Sequence, residues 1–165
     1  EGIDEVLENN LPVLTENTDL FIDNGGQMNF LIEGDNLASL KLLGKTHKGK
    51  IDLIYIDPPY NTGTDKFKYD DNIVDLNDNF RHSKWTSFMQ KRLLAVKQLL
   101  SQNWVLFISI DNNEISALKM LCDSIFGENN FIGTIDWESK TKSQNTQSAY
   151  QKLQPKCEYI LCYGR

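Results

Sequence analysis

The sequence is poor in the residues that build disulfide frameworks and structural zinc sites. Its 165 residues include only three cysteines, Cys122, Cys157 and Cys162, without a Cys-x-x-Cys pair. Disulfide sets and zinc sites use paired or closely spaced cysteines, so neither is expected. We therefore expect free thiols, buried or half-buried, in a reducing cytosol, and no metal site.

Long hydrophobic runs are also missing. No apolar stretch approaches the roughly 20 residues that cross a bilayer, and residues 1–5 lack the basic start of a secretory signal. We therefore expect a cytoplasmic protein without a membrane partner. With 40% hydrophobic and 24% charged residues, the composition is typical of a globular domain and argues against a disordered or collagen-like chain.

The net charge of −6 argues against a nucleic-acid partner, because binding to phosphate backbones depends on cationic side chains. The total conceals a gradient, however. Residues 1–80 carry 6 basic and 16 acidic side chains, net −10, whereas residues 81–165 carry 11 basic and 7 acidic, net +4. This asymmetry permits a polyanion site in the second half, although a charged stretch is more often only a solvated face.

Apolar patterning predicts the architecture. Short apolar runs alternate with helical patterns, which indicates one α/β domain with a mainly parallel sheet and helices on both faces. Residues 1–27 are expected to form an N-terminal arm with at most one short helix. Strands are predicted at Met28–Glu33, Ile51–Ile56, Trp104–Ile110, Phe131–Trp137 and Glu158–Tyr163, and helices after Asp35, over Lys84–Ser101 and over Asn112–Phe126.

The tetrapeptide Asp57-Pro58-Pro59-Tyr60 is the most informative motif. It follows the strand Ile51–Ile56, which is predicted to be covered on both faces, and open α/β sheets bind ligands at the carboxyl ends of such strands. The prolines end the ladder and leave carbonyls without a ladder partner, between a carboxylate and an aromatic ring. These groups suit a planar heterocycle with an amino group. An ordinary strand-ending turn is the alternative.

Such a pocket is able to activate an aromatic amine. The lone pair of this amine is delocalised into the ring, which makes the nitrogen a poor nucleophile. Two acceptors that hold its N–H bonds out of plane favour attack on an electrophilic methyl group. The reaction then needs neither a metal nor a cysteine or serine nucleophile.

Four blocks resemble the amino-methylating DNA methyltransferases, especially the methylation (Mod) subunits of type III restriction-modification systems. They are Leu31–Leu37, Lys50–Gly63, Phe80–Trp85 and Phe107–Glu114. The resemblance covers residues 28–137 and implies a Rossmann-like, S-adenosylmethionine-dependent fold that methylates an adenine flipped out of double-stranded DNA. It also implies a homodimer in the full-length protein and a nuclease subunit as partner.

The resemblance assigns roles to individual residues. Asp57 and the Pro58 carbonyl would accept from the adenine amino group, and Tyr60 would stack on the base. An Asp at position 57, where cytosine-methylating relatives usually have Ser, favours adenine. The implied sets are catalytic Asp57, Pro58, Pro59 and Tyr60, cofactor-binding Asp35 and Asn36, substrate-binding Asn61, Thr62, Gly63 and Phe67, and Arg81, Lys84, Lys140 and Lys142 at the rim that faces DNA.

Several of these residues have simpler alternative roles. Asp35 is also a candidate N-cap for the following helix, and the two roles can coexist. His82, just before a predicted helix, is more often a cap or surface residue than a catalytic base. Lys140 and Lys142 lie in the polar stretch 138–156, for which an unanchored solvent loop is the alternative.

Two features of the family are missing. The chain contains no Gly-x-Gly, although a glycine loop that opens a helix lets the cofactor approach the backbone. In the family sheet, two central strands lie between the strands that correspond to Met28–Glu33 and Ile51–Ile56. Both belong to the half of the domain that carries the glycine loop, and this half is missing here. We therefore expect residues 28–165 to be the catalytic half of a methyltransferase domain, from the N-terminal part of a longer protein. Its free strand edges would bind a second copy, or residues 1–35 would be displaced.

Two other functions stay open. One is methylation of a different amino group, in cytosine, RNA or a protein amide; the RNA and protein enzymes more often have Asn at the first motif position and lack the Arg81–Trp85 block. The other is a non-catalytic piece of a restriction-modification complex, which the missing glycine loop favours.

The missing glycine loop leads to a prediction about cofactor affinity. We expect these 165 residues to bind S-adenosylmethionine weakly or not at all and to be inactive alone, because close backbone approach to the cofactor needs that loop. Isothermal titration calorimetry of the isolated chain measures this directly, and a micromolar dissociation constant would contradict it.

Overall fold

The structure, a computed structural model, describes residues 13–23, 25–26, 29–62, 78–138 and 157–165. Its helices are α1 (Asn36–Thr46), α2 (Arg81–Leu99) and α3 (Ile115–Phe126), and its strands are β1 (Ile51–Ile56), β2 (Leu100–Ile110), β3 (Phe131–Glu138) and β4 (Cys157–Gly164). Short 3-10 turns lie at Thr18–Leu20 and Glu128–Asn130. Within these ranges, no helix has the length and apolar character needed to span a membrane.

The four strands form one mixed sheet in the order β1-β2-β4-β3. β1 and β2 are parallel, with Ile56 opposite Ile108, whereas β4 is antiparallel to both β2 and β3. The predicted α/β fold class is confirmed. Among the described strands the sheet is mixed rather than mainly parallel, because β4 pairs as an antiparallel neighbour of both β2 and β3.

The predicted strand Met28–Glu33 is absent from the residues that the structure describes there. Residues 29–33 belong to no strand, and the side chains of Phe30 and Leu31 are 71% and 95% exposed. β1 is an edge strand of the described sheet, and residues 29–33 do not pair with it. Strand formation needs a neighbour for its backbone groups, and hydrophobic alternation alone does not supply one.

The three helices cover one face of the sheet. α2 contacts both α1 and α3, and side chains from all three join one apolar cluster with alternate residues of the strands, including Ile54, Leu106, Ile108, Leu161 and Tyr163. Successive strand residues point to opposite faces, so Leu53 and Tyr55 lie on the other side of β1, where they are 59% and 56% exposed. The described helices therefore cover one face of β1, not both as expected.

The three cysteines are free thiols, as predicted. Cys122 and Cys162 are buried and Cys157 is half-buried. Burial raises the pKa of the Cys122 thiol to about 12, so this side chain behaves as a small apolar core residue at neutral pH.

Two adjacent leucines of α2 test where the core lies. Leu93 is fully buried, whereas Leu94 is 47% exposed. We expect Leu93→Ala to lower the free energy of unfolding by about 2–5 kcal/mol, because it leaves a cavity, and Leu94→Ala to lower it by less than about 1 kcal/mol. Urea denaturation followed by circular dichroism measures both changes, and equal losses would contradict the orientation of α2.

Candidate active site

The tetrapeptide Asp57–Tyr60 lies where β1 leaves the sheet. β1 and β2 run in parallel, so their carboxyl ends meet at one edge, which is where α/β sheets bind ligands. Pro58 is buried there, Tyr60 is half-buried and Asp57 is exposed. The motif therefore follows the end of β1, as the sequence predicted, and its carboxylate is exposed to solvent.

Tyr60 and Asp57 interact directly. Burial raises the pKa of the Tyr60 hydroxyl far above its ordinary value, and the charge of the Asp57 carboxylate and a hydrogen bond to it raise the pKa further. Tyr60 is therefore protonated at neutral pH, beside the Asp57 carboxylate. Stacking of its ring on a base stays a prediction.

Trp85 anchors the motif from α2. Its indole Nε1 donates to the Pro59 carbonyl at 2.7 Å, and the side chain is 1% exposed. The prolines take these carbonyls out of the strand ladder, and a buried carbonyl without a partner is costly. The helical pattern predicted Trp85 as a core residue only, and the structure adds this hydrogen bond to the loop.

Glu114 anchors the residue that follows the motif. Asn61 Nδ2 donates to Glu114 Oε1 at 2.5 Å, and His82 Nδ1 lies 2.7 Å from the same oxygen. Asn61 has a φ of 55°, a left-handed conformation that Asn adopts more readily than most residues. A hydrogen bond to a charged group contributes about 1.5–3 kcal/mol, which adds to this preference and helps to hold the conformation.

The edge of the sheet is acidic. Burial raises the pKa of Asp111 at the end of β2, and the charges of Glu158 and Glu114 add to this, against the hydrogen bonds from Asn113. The charge of Glu158 also raises the pKa of Tyr60. In the part of the chain that the structure describes, no three His, Cys, Asp or Glu side chains are grouped to hold a metal ion. A negative field of this kind suits a cationic or amino-bearing ligand.

Asp35 and Asn36, the predicted cofactor-binding residues, start α1. Asp35 caps the helix, since its carboxylate accepts from the Ala38 N–H at 2.8 Å, which confirms the N-cap alternative. Asn36 Oδ1 accepts from Arg92 Nε at 2.7 Å and so ties α1 to α2. Only residues 47–50 join α1 to β1, so the helix starts toward the edge where β1 ends. The cofactor role itself stays a prediction.

The predicted DNA rim is described only in part. Arg81 Nε donates to His82 Nε2 at 3.1 Å, and Lys84 forms an ion pair with Asp78. The hydrogen bond from Lys84 lowers the pKa of the Asp78 carboxyl. Thr62 is half-buried beside Asn61. Gly63, Phe67, Lys140 and Lys142 lie outside the described residues.

Three acidic residues at this edge were not predicted from the sequence. Asp111 and Glu114 follow β2, and Glu158 starts β4, which is antiparallel to β2. Their positions in the sequence could have predicted this, because acidic residues next to the ends of neighbouring strands lie at the same sheet edge as the tetrapeptide.

Comparisons with known proteins find one family and several relatives that are similar to this chain. A family model described as DNA methylase, of the N6/N4 type, matches residues 51–165. The HindVI Mod subunit of Haemophilus influenzae, named as a probable type III restriction-modification enzyme, is 41% identical over 83% of the chain and 17% of its own length. The type II methyltransferase M.KpnI of Klebsiella pneumoniae is 41% identical over 80% of the chain and 31% of its own length. The chain spans 17–26% of the length of the four type III Mod subunits that it matches.

A solved structure shares the fold. The DNA modification methylase TTHA0409 of Thermus thermophilus, solved as a complex with S-adenosylmethionine, has a TM-score of 0.53 at 15% identity. The match covers 80% of this chain and 51% of that protein. At this level of identity the similarity is one of fold, and it supports a partial α/β domain.

The raised pKa of Tyr60 leads to a prediction for alkaline titration. A phenol with a raised pKa stays protonated above the ordinary value of about 10. We therefore expect Tyr60→Phe to leave the phenolate absorbance of the folded protein unchanged between about pH 9 and 11. Ultraviolet titration measures this, with circular dichroism to verify folding. If the variant lost a phenolate transition near the ordinary pKa, that result would contradict the raised pKa of Tyr60.

Proposed function

Because the chain belongs to the DNA methylase family, we propose that it is the catalytic segment of a site-specific DNA adenine methyltransferase in a restriction-modification system. The observation that carries this proposal is the Asp57–Tyr60 motif at the carboxyl end of β1, held by buried anchors from two helices. A rigid backbone with an exposed carboxylate suits a reaction that depends on orientation of a weak nucleophile.

The described residues fit S-adenosylmethionine by charge. This cofactor carries a positive sulfonium, and the site edge holds the carboxylates of Asp57, Glu114 and Glu158, whose charges add to the effect of burial in raising the pKa values of Tyr60 and Asp111. When bound, the cofactor would supply an electrophilic methyl group, and its sulfur would keep the electron pair of the broken sulfur–methyl bond and leave as a neutral thioether. We propose Asp35 and Asn36, at the start of α1, as the residues of this chain that hold it.

The chain's own groups act on the amino group of the target base. The Asp57 carboxylate and the Pro58 carbonyl each accept a hydrogen bond from one of its two N–H groups. These hydrogen bonds direct the nitrogen lone pair out of the ring plane. A nitrogen that gains a carbon becomes positively charged, and the Asp57 carboxylate stabilises that charge and takes the released proton. Because Asp57 is exposed, this proton then passes to solvent.

The target is proposed to be an adenine flipped out of double-stranded DNA. A base within a duplex is paired and stacked, so a pocket at a sheet edge reaches its amino group only after extrusion. An Asp at position 57 and the similarity to type III Mod subunits support adenine over cytosine. Phosphate contacts are proposed for Arg81, Lys84, Lys140 and Lys142, in the half of the chain with net charge +4.

The assembly is also part of the proposal. The relatives named as Mod subunits of type III enzymes support a nuclease subunit as partner of the full-length protein, which we propose to be a cytoplasmic homodimer. The type II relative M.KpnI supports the same chemistry within another class of restriction-modification system.

Asp57→Ala in the full-length protein tests the proposal. We expect methyl transfer to fall by about 10³-fold, because the acceptor for the amino group and its proton is lost, whereas affinity for S-adenosylmethionine stays within about twofold. The matched control is Asp52→Ala, at the other end of β1, where the carboxylate accepts from the Ser101 hydroxyl. Mass spectrometry of digested DNA measures N6-methyladenine, and retained activity would remove Asp57 from the mechanism.

The same assay separates the alternative functions. If the product were N4-methylcytosine, the target base would be cytosine and not adenine. Label from tritiated cofactor in RNA or protein, and none in DNA, would support another amino group. A wild-type protein that transfers no methyl group to any of these would support the non-catalytic assembly role.

A further inference from the structure

Glu114 has a buried carboxylate that does not serve its own helix. It is 1% exposed and sits at the N-cap of α3, yet its side chain makes no cap hydrogen bond. Its Oε1 accepts from Asn61 and His82 instead, and its Oε2 is buried without a partner among the residues that the structure describes. A buried carboxylate is costly, so its orientation toward the loop needs an explanation.

The hydrogen bonds of Glu114 extend from the rim to the tetrapeptide. His82 Nε2 accepts from Arg81 Nε at 3.1 Å, so the single proton of a neutral imidazole sits on Nδ1 and is donated to Glu114. Asn61 bonds the same carboxylate oxygen and directly follows Tyr60. One carboxylate therefore connects the start of α2 with the loop that presents Asp57 and Tyr60.

We propose that Glu114 is a positioning residue for methyl transfer. It holds Asn61 in its left-handed conformation and so fixes the direction in which the Asp57–Tyr60 loop faces the target base. The inference rests on the proposed function, because it assigns the loop a reaction to position. A purely structural role predicts a different result: fewer folded molecules, each with unchanged chemistry.

Glu114→Gln in the full-length protein distinguishes these roles. Glutamine keeps the size and one acceptor oxygen but removes the charge that strengthens both hydrogen bonds. With saturating DNA and S-adenosylmethionine, we expect the single-turnover rate constant to fall about tenfold, with the burst amplitude, the KM for DNA and the unfolding midpoint close to wild type. Glu128→Gln, at an exposed glutamate beyond α3, is the matched control.

Asn61→Gly tests the same link from the loop side. Glycine adopts a positive φ without strain, so this variant keeps the turn and removes the side chain that donates to Glu114. We expect a similar loss of rate, and the double variant with Glu114→Gln should be no slower than the slower single variant, because both changes break one connection. Independent, multiplying effects would contradict the coupling.

The ring of His82 supplies a readout that does not depend on activity. Nitrogen NMR of the ring, assigned with His82→Gln, should show the Nδ1–H tautomer in the wild type and a shift toward Nε2–H in Glu114→Gln. A wild-type Nε2–H tautomer overturns the inference. Normal single-turnover rates in Glu114→Gln, in an enzyme that methylates DNA, also overturn it. A wild-type protein without methyl transfer instead overturns the proposed function, and with it the positioning role.

Discussion

Two consecutive prolines set the geometry of the whole site. Pro58 and Pro59 have no N–H groups to donate, so β1 cannot continue in the ladder with β2 beyond Ile56. The chain therefore leaves the sheet at the edge where β2 also ends, and its carbonyls must find partners outside the ladder. The exposed Asp57 and the half-buried Tyr60 owe their positions to this break.

The side chains that hydrogen-bond to the loop after β1 come from distant parts of the chain. Trp85 lies 26 residues beyond the carbonyl that it binds, and Glu114 lies 53 residues beyond Asn61. A loop without ladder bonds would be free to sample several conformations. Because both anchors are themselves buried with α2 and α3, the shape of the loop depends on the packing of those helices, and core stability and site geometry are linked.

This separation along the sequence explains which features could be predicted and which could not. The strand Ile51–Ile56, the N-cap at Asp35 and the placement of the tetrapeptide depend on local periodicity and backbone chemistry, and the structure contains all three. The roles of Trp85 and Glu114 depend on contacts across the fold, which periodicity does not encode. The predicted strand Met28–Glu33 is wrong for a related reason: its apolar pattern does not supply a neighbouring strand, and the strands expected beside it belong to the missing cofactor half.

The distribution of charge over the fold is the second property that the sequence did not predict. A net charge of −6 argues against DNA as a partner when it is averaged over the chain. The acidic groups Asp57, Asp111, Glu114 and Glu158 instead gather at one sheet edge, where burial and the charges of neighbouring carboxylates together raise the pKa values of Tyr60 and Asp111. In the proposed reaction, an acidic sheet edge would stabilise an amine that becomes positively charged, and the cations that contact phosphate would lie away from that edge. A site that modifies a DNA base therefore needs opposite charges in separate places, and a chain average cannot reveal that arrangement.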